Sequence, residues 1–207
     1  LVKQLFGGLG DNFVNPALTA RAVLLASWPA FMSGSSAFVT PFDAVSSATP
    51  IDIISSATVH STAYPSNLDL FIGWVPGCIG EVSKVAILLG LLYLLIRKTI
   101  SWHIPLTMIG SFMLCIFLFG GDPVQAVLTG SILFGAVFMA TDYVTSPMTH
   151  PGQMIYAAGA GLILALIRTF GGYPEGTTYA ILLMNILTPL IDRATKGRIY
   201  GEVKTRA

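Results

Sequence analysis

"VSKVAILLGLLYLLI", residues 82–96, carries one charge in fifteen residues, and after Lys84 only apolar side chains, a glycine and a tyrosine. A bilayer core needs about 20 mostly apolar residues per helix, with about 17 at the lower end. This stretch nearly reaches that length, and longer if it starts within the preceding "PGCIGEVSK". It reads as a membrane helix, and similar stretches follow on both sides. Working outward, the candidate spans are 17–32, 82–96, 104–119, 123–140, 153–169 and 177–191. The first is interrupted by Arg21 and Pro29. Several are shorter than ideal, so tilt, local thinning or partner subunits are expected to cover the difference.

The composition supports the same class. Of 207 residues, 54% are hydrophobic and 10% charged, against roughly 25% charged in soluble domains. A soluble sphere of this size could not cover its surface with so few charges. The expected fold is all-α: a polytopic membrane bundle of about six transmembrane helices, forming one membrane domain over 1–207 in contact with the lipid bilayer. A net charge of +1 gives no argument for nucleic acid. His60, His103 and His150 are widely separated and show no metal-ligand spacing. Cys78 and Cys115 suggest no disulfide framework and read as buried, inert thiols. The chain begins at Leu1, with no basic stretch ahead of an apolar run, so no signal peptide is expected.

Gly90, Gly110, Gly130, Gly135, Gly159 and Gly161 punctuate the apolar segments, and "AAGAGLILA" is a small-residue face suited to close helix packing. Lysines and arginines set the direction. Arg97 and Lys98 close the second span, and 193–207 is a basic tail with Arg193, Lys196, Arg198, Lys204 and Arg206. Placing both in the cytoplasm leaves Arg168 at an outer boundary and makes 33–70 extracytoplasmic. That long segment has no Lys or Arg and contains Asp43, Asp52 and Asp69.

The tetrapeptide Ser-Ser-Ala-Thr occurs twice there, at Ser46–Thr49 and Ser55–Thr58. Hydroxyl clusters in loops commonly cap helices, and Thr49-Pro50 followed by "IDII" has the form of an N-cap with Pro at the first helical position. On residue types alone, that structural reading stands beside any chemical one. Glu81 and Lys84, three apart at the start of the second span, suggest an ion pair on one helix face. The alternative is a contact to a cofactor or a cation, since ionisable groups in membrane segments are often functional. The "PGCIGE" backbone before that helix would also suit a phosphate. Arg21 fits a side chain that snorkels to the boundary, with flavin or quinone binding as the alternative, and Asp142 and Asp192 fit solvated or capping roles.

In order, "GGLGDNFVNPALTARA", "DAVSSATPID", "GCIGEVSKVAILLGLLYLL", "ISWHIPLTMIG", "FMATDYVTSPMT" and "GGYPEGTTYAILLMNILTPLID" cover nearly the whole chain. Together they closely resemble the D subunit of the Rnf complex, an ion-translocating ferredoxin:NAD oxidoreductase. The sister family is the B subunit of the sodium-translocating NADH:quinone reductase. The resemblance implies further helices upstream of "GGLG", so the chain looks like a C-terminal portion. It also implies covalent FMN, joined by a phosphodiester to the threonine of an S-(G/S)-A-T word. Ser46, Ser47, Ala48 and Thr49 match that word, with Asp43 in the accompanying "DAV" and Glu81 as a further candidate contact. The second copy, ending in Thr58, lacks the flanking Asp-Ala-Val and Pro-Ile. A second, non-covalent flavin near "GGLGDNFVNP" is a further implication, drawn from the sister family.

The implied activity is electron transfer between partner redox centres, coupled by the whole complex to Na⁺ or H⁺ movement. The implied partners are other membrane, flavin and iron–sulfur subunits. No Gly-rich dinucleotide loop or cysteine cluster in this chain would bind NAD or an iron–sulfur centre. The implied location is the plasma membrane, multi-pass, with the flavin segment outside and the C-terminus inside. A cofactor-free scaffold or carrier subunit is the competing class.

Overall fold

The computed structural model describes residues 2–5, 8, 10–33, 66–78, 80–171 and 176–196. Among these residues every regular element is helical. The elements are α1 (Pro16–Ser27), α2 (Pro29–Ser33), α3 (Asn67–Ile72), α4 (Lys84–Ile96), α5 (His103–Leu118), α6 (Pro123–Leu128), α7 (Ile132–Phe134), α8 (His150–Phe170) and α9 (Thr177–Thr195). A π-helical turn, Gly135–Met139, continues α7.

Local sequence sets most of the boundaries. The Asn15 side chain accepts from the Ala17 and Leu18 amides, with Pro16 at the first helical position of α1. Ser83 caps α4, Asp122 caps α6 and Thr149 caps α8, each through its side-chain oxygen. Such caps satisfy amides that have no partner within the helix.

One described helix, His150–Phe170, is long and apolar enough to cross a membrane, with a mean hydropathy of 1.4. Six continuous spans are therefore not what the structure presents. The first candidate span stops at Ser27 and restarts at Pro29, because a proline offers no amide to continue the preceding helix. The second begins only at Lys84 and the third is 16 residues long. The fourth, expected over 123–140, breaks after Leu128. Thr129 is extended and Gly130 takes φ 70°, a left-handed conformation that glycine adopts without strain.

The centre of the bundle is the pair α5 and α8. His103 stacks on His150 at one end and Phe119 meets Phe170 at the other, with ring centroids 4.4 and 5.4 Å apart. The two helices therefore run parallel and in register. Helix α9 returns antiparallel to α8: Thr149 and Thr195 share a 2.7 Å hydroxyl hydrogen bond at one end. Near the other, Gly176 abuts Ile167. Helix α4 runs alongside the broken α6–α7 segment, since Lys84 reaches Gly130 and Gly90 lies against Phe138. Helices α5 and α8 thus point one way and α9 the other.

Met108 and Phe112 of α5, Tyr156, Ala160 and Leu164 of α8, and Ala180 and Ile181 of α9 are fully enclosed. The Tyr156 hydroxyl donates to Asn185 Oδ1 at 2.7 Å, tying α8 to α9 inside this core. Outside it, the pattern is apolar again. Leu89 is 62% exposed, Phe117 67% and Leu190 60%. Apolar contact surface of this extent suits lipid or further protein, not water.

At Gly161 the α8 backbone packs directly against that of α5. A Cβ there would collide with Ser111 Oγ and sit 2.6 Å from the Met108 carbonyl oxygen, whereas Gly110 faces open space. Gly161→Ala is accordingly expected to destabilise the protein by about 1–3 kcal/mol through overpacking. Gly110→Ala should be neutral or slightly stabilising. Thermal unfolding of the two variants in detergent checks the contrast.

Candidate functional site

Ser46, Ser47, Ala48, Thr49, Asp43 and Thr58 lie outside the described residues. The first described structure after them is α3, capped by Ser66 and ended by Gly73 at φ 101°. A Cβ on Gly73 would lie 2.9 Å from the Ser83 Cα, so the chain closes a tight loop between α3 and α4. This loop delivers Glu81, 8% exposed, and Lys84, 4% exposed, to the interior.

The two residues do not share a helix face as their spacing suggested. Glu81 precedes the cap residue Ser83, and Lys84 is the first residue of α4. The Lys84 ammonium donates to the Glu81 carbonyl and to the Gly130 carbonyl, the latter at 3.3 Å. The capped start of α4 already directs the Ala86 amide to Ser83 Oγ and the Ile87 amide to the Ser83 carbonyl.

The opposite side of the same helix break is held by Arg168. Its Nη1 donates to the Ala126 carbonyl at 2.6 Å and its Nη2 to the Thr129 carbonyl at 3.2 Å. The guanidinium also lies 5.0 Å from the centre of the Phe112 ring, within cation–π range. Ser131, just past the break, donates to Thr177 Oγ1 at 3.0 Å, and Thr129, Ser131 and Thr177 are all buried. The Thr129 hydroxyl returns to the Gln125 carbonyl at 2.9 Å. Two cations from distant elements thus converge on carbonyls at the C-terminal end of α6, where the partial charge is negative.

The charge pattern alone puts Arg168 at an outer boundary, whereas its long side chain reaches back to the break. The Thr-Gly-Ser run at 129–131 is the sequence signal for this site. Within an apolar span, however, Gly130 reads only as a packing glycine.

At the other end of the bundle, the histidines depart from the sequence expectation. His103 and His150 stack, and Trp102 stacks on His103 with centroids 4.1 Å apart. They are 47 positions apart in the chain, but each begins one of the two parallel central helices. Among the described residues, no group of three or more His, Cys, Asp or Glu could hold a metal ion. Cys78 and Cys115 are both reduced thiols, each half-buried and not fully enclosed. Arg21 is half-buried on α1. Asp142 accepts from the Thr145 hydroxyl, and Asp192 accepts from the Met148 amide. Asp142 thus holds a local turn, whereas Asp192, in the last turn of α9, holds the segment that leads into α8.

Arg168→Met is expected to lower stability by about 1–3 kcal/mol, mainly through the Thr129 carbonyl, because the Ala126 carbonyl keeps the Thr129 hydroxyl as a second donor at 3.3 Å. Arg168→Lys should recover only part of that loss, because the shorter side chain lacks the planar fork that meets both carbonyls. Thermal unfolding of the three proteins measures the order.

A sequence model of the family described as NQR2, RnfD, RnfE matches residues 1–201. The chain is 52% identical, over its full length, to the D subunit of the Na⁺-translocating ferredoxin:NAD⁺ oxidoreductase complex of Acetobacterium woodii. It is 44% identical, over 97% of its length, to the D subunit of the proton-translocating ferredoxin:NAD⁺ oxidoreductase complex of Clostridium ljungdahlii. It is 36% identical, over its full length, to the D subunit of the ion-translocating oxidoreductase complex of Halorhodospira halophila. The chain spans 64%, 65% and 68% of those three proteins, respectively. By the match over nearly all of its residues, the chain belongs to the NQR2, RnfD, RnfE family.

Proposed function

We propose that the chain is part of the D-type membrane subunit of an ion-translocating ferredoxin:NAD oxidoreductase, and that Thr49 carries covalent FMN. The observation that carries this reading is the Ser46-Ser47-Ala48-Thr49 word, preceded by Asp43-Ala44-Val45. It stands within a chain that matches the family over residues 1–201. The names of these relatives support the choice of complex over the quinone-reductase sister.

In this reading a phosphodiester joins the Thr49 hydroxyl oxygen to the flavin phosphate. Small neighbours, Ser46, Ser47 and Ala48, leave that hydroxyl accessible to a bulky phosphoribityl group. A flavin held there supplies the electron-carrying chemistry that no side chain in this protein can provide. Glu81, at the end of the loop that follows the flavin segment, is assigned a positioning role toward the cofactor or a cation. The segment 33–70 is placed outside the membrane and the tail 193–207 in the cytoplasm, following the distribution of Lys and Arg. Ferredoxin, NAD and the coupling ion are handled with the other flavin and iron–sulfur subunits of the complex, and a second, non-covalent flavin belongs to the same proposal.

In-gel flavin fluorescence after SDS denaturation tests the tether. The wild type and Thr58→Ala are expected to fluoresce, while Thr49→Ala loses the signal entirely. A dark wild-type band, from cells that possess the attaching enzyme, would overturn the reading and favour a cofactor-free scaffold or carrier.

A further inference from the structure

The carbonyls around the helix break have the chemistry of an ion site. Where membrane helices are interrupted, the C-terminal half-helix ends and unwound carbonyls carry partial negative charge and coordinate small cations in transporters. Here the corresponding oxygens already face positive charge. Ala126 and Thr129 receive the Arg168 guanidinium, and Glu81 and Gly130 receive the Lys84 ammonium. Lys84 is 4% exposed, and an ammonium so enclosed needs oxygens in place of its lost water. It is a compact point charge, unlike a guanidinium. The break is further enclosed by buried Thr129 and Ser131, and by Thr177 bonded to Ser131.

We propose that the Glu81 and Gly130 carbonyls form a site for a small monovalent cation, which the chain keeps filled with its own Lys84 ammonium. The tethered cation closes the helix break to free ions. The site takes an ion from solution only when the lysine head group is removed or withdrawn. This inference does not depend on the flavin reading.

The test follows thermal stability of this subunit in membranes holding the full complex, by its solubility after heating. Chlorides of ammonium, potassium, sodium and choline are compared at equal ionic strength. The wild type is expected to show the same midpoint in all four salts. Lys84→Ala is expected to lose several degrees in choline and to recover most of them in ammonium, potassium or sodium. Lys84→Gln, which keeps hydrogen-bond donors without the charge, should show a smaller loss and the same selective recovery. A midpoint of Lys84→Ala that ignores the cation would overturn the proposal, as would a wild type that responds equally. Failure of both variants to accumulate even in ammonium-supplemented cells would do the same, since the replacing ion would then have no effect.

Discussion

An interrupted helix in an apolar bundle must find partners for the carbonyls it releases, and this structure meets that demand with cations. Each buried carbonyl left without a donor costs about 1–3 kcal/mol. The break at Thr129–Gly130 therefore governs where Arg168 and Lys84 must lie. Arg168 comes from the far end of α8, and Lys84 from the first turn of α4, just after the loop that closes between Gly73 and Ser83. Two separate stretches of chain are thus pinned to one short interruption. The hydroxyl bond between Ser131 and Thr177 adds the start of α9 to the same node.

Packing completes what the node begins. Gly161 lets the α5 and α8 backbones approach so closely that no side-chain carbon fits between them. With α5 and α8 parallel, their N-terminal histidines meet at one end and their C-terminal phenylalanines at the other. The intervening segment must return between them, and it does so as α6, the break, α7 and the π-helical turn. Close small-residue contacts and internal hydrogen bonds are the forces available to helices in lipid, where burial of apolar surface between helices gains little.

Much of this was legible from residue types. The apolar runs at 82–96, 104–119, 153–169 and 177–191 coincide with α4, α5, α8 and α9. What hydropathy missed was continuity. A window average over 123–140 does not register one Thr-Gly-Ser triplet, although Gly130 at φ 70° ends the helix there. Sequence spacing likewise hid the stack of His103 on His150, because proximity depends on the parallel arrangement of α5 and α8. Arg168 was visible as an odd charge, but only the fold shows that its head group points back into the bundle. The Ser46–Thr49 word and Asp43 carry their meaning in local sequence, and they lie outside the described residues.

The FMN tether proposed on Thr49 and the helix break whose carbonyls accept from Arg168 and Lys84 concern different chemistry. The first is the central claim, because the proposed function rests on it. Peptide mass spectrometry of the wild-type protein, isolated from cells that possess the attaching enzyme, tests it most directly. The account predicts a flavin-phosphate adduct on the peptide containing Ser46–Thr49, with fragmentation assigning it to Thr49. An adduct mapped to Thr58, or an unmodified peptide throughout, would contradict it.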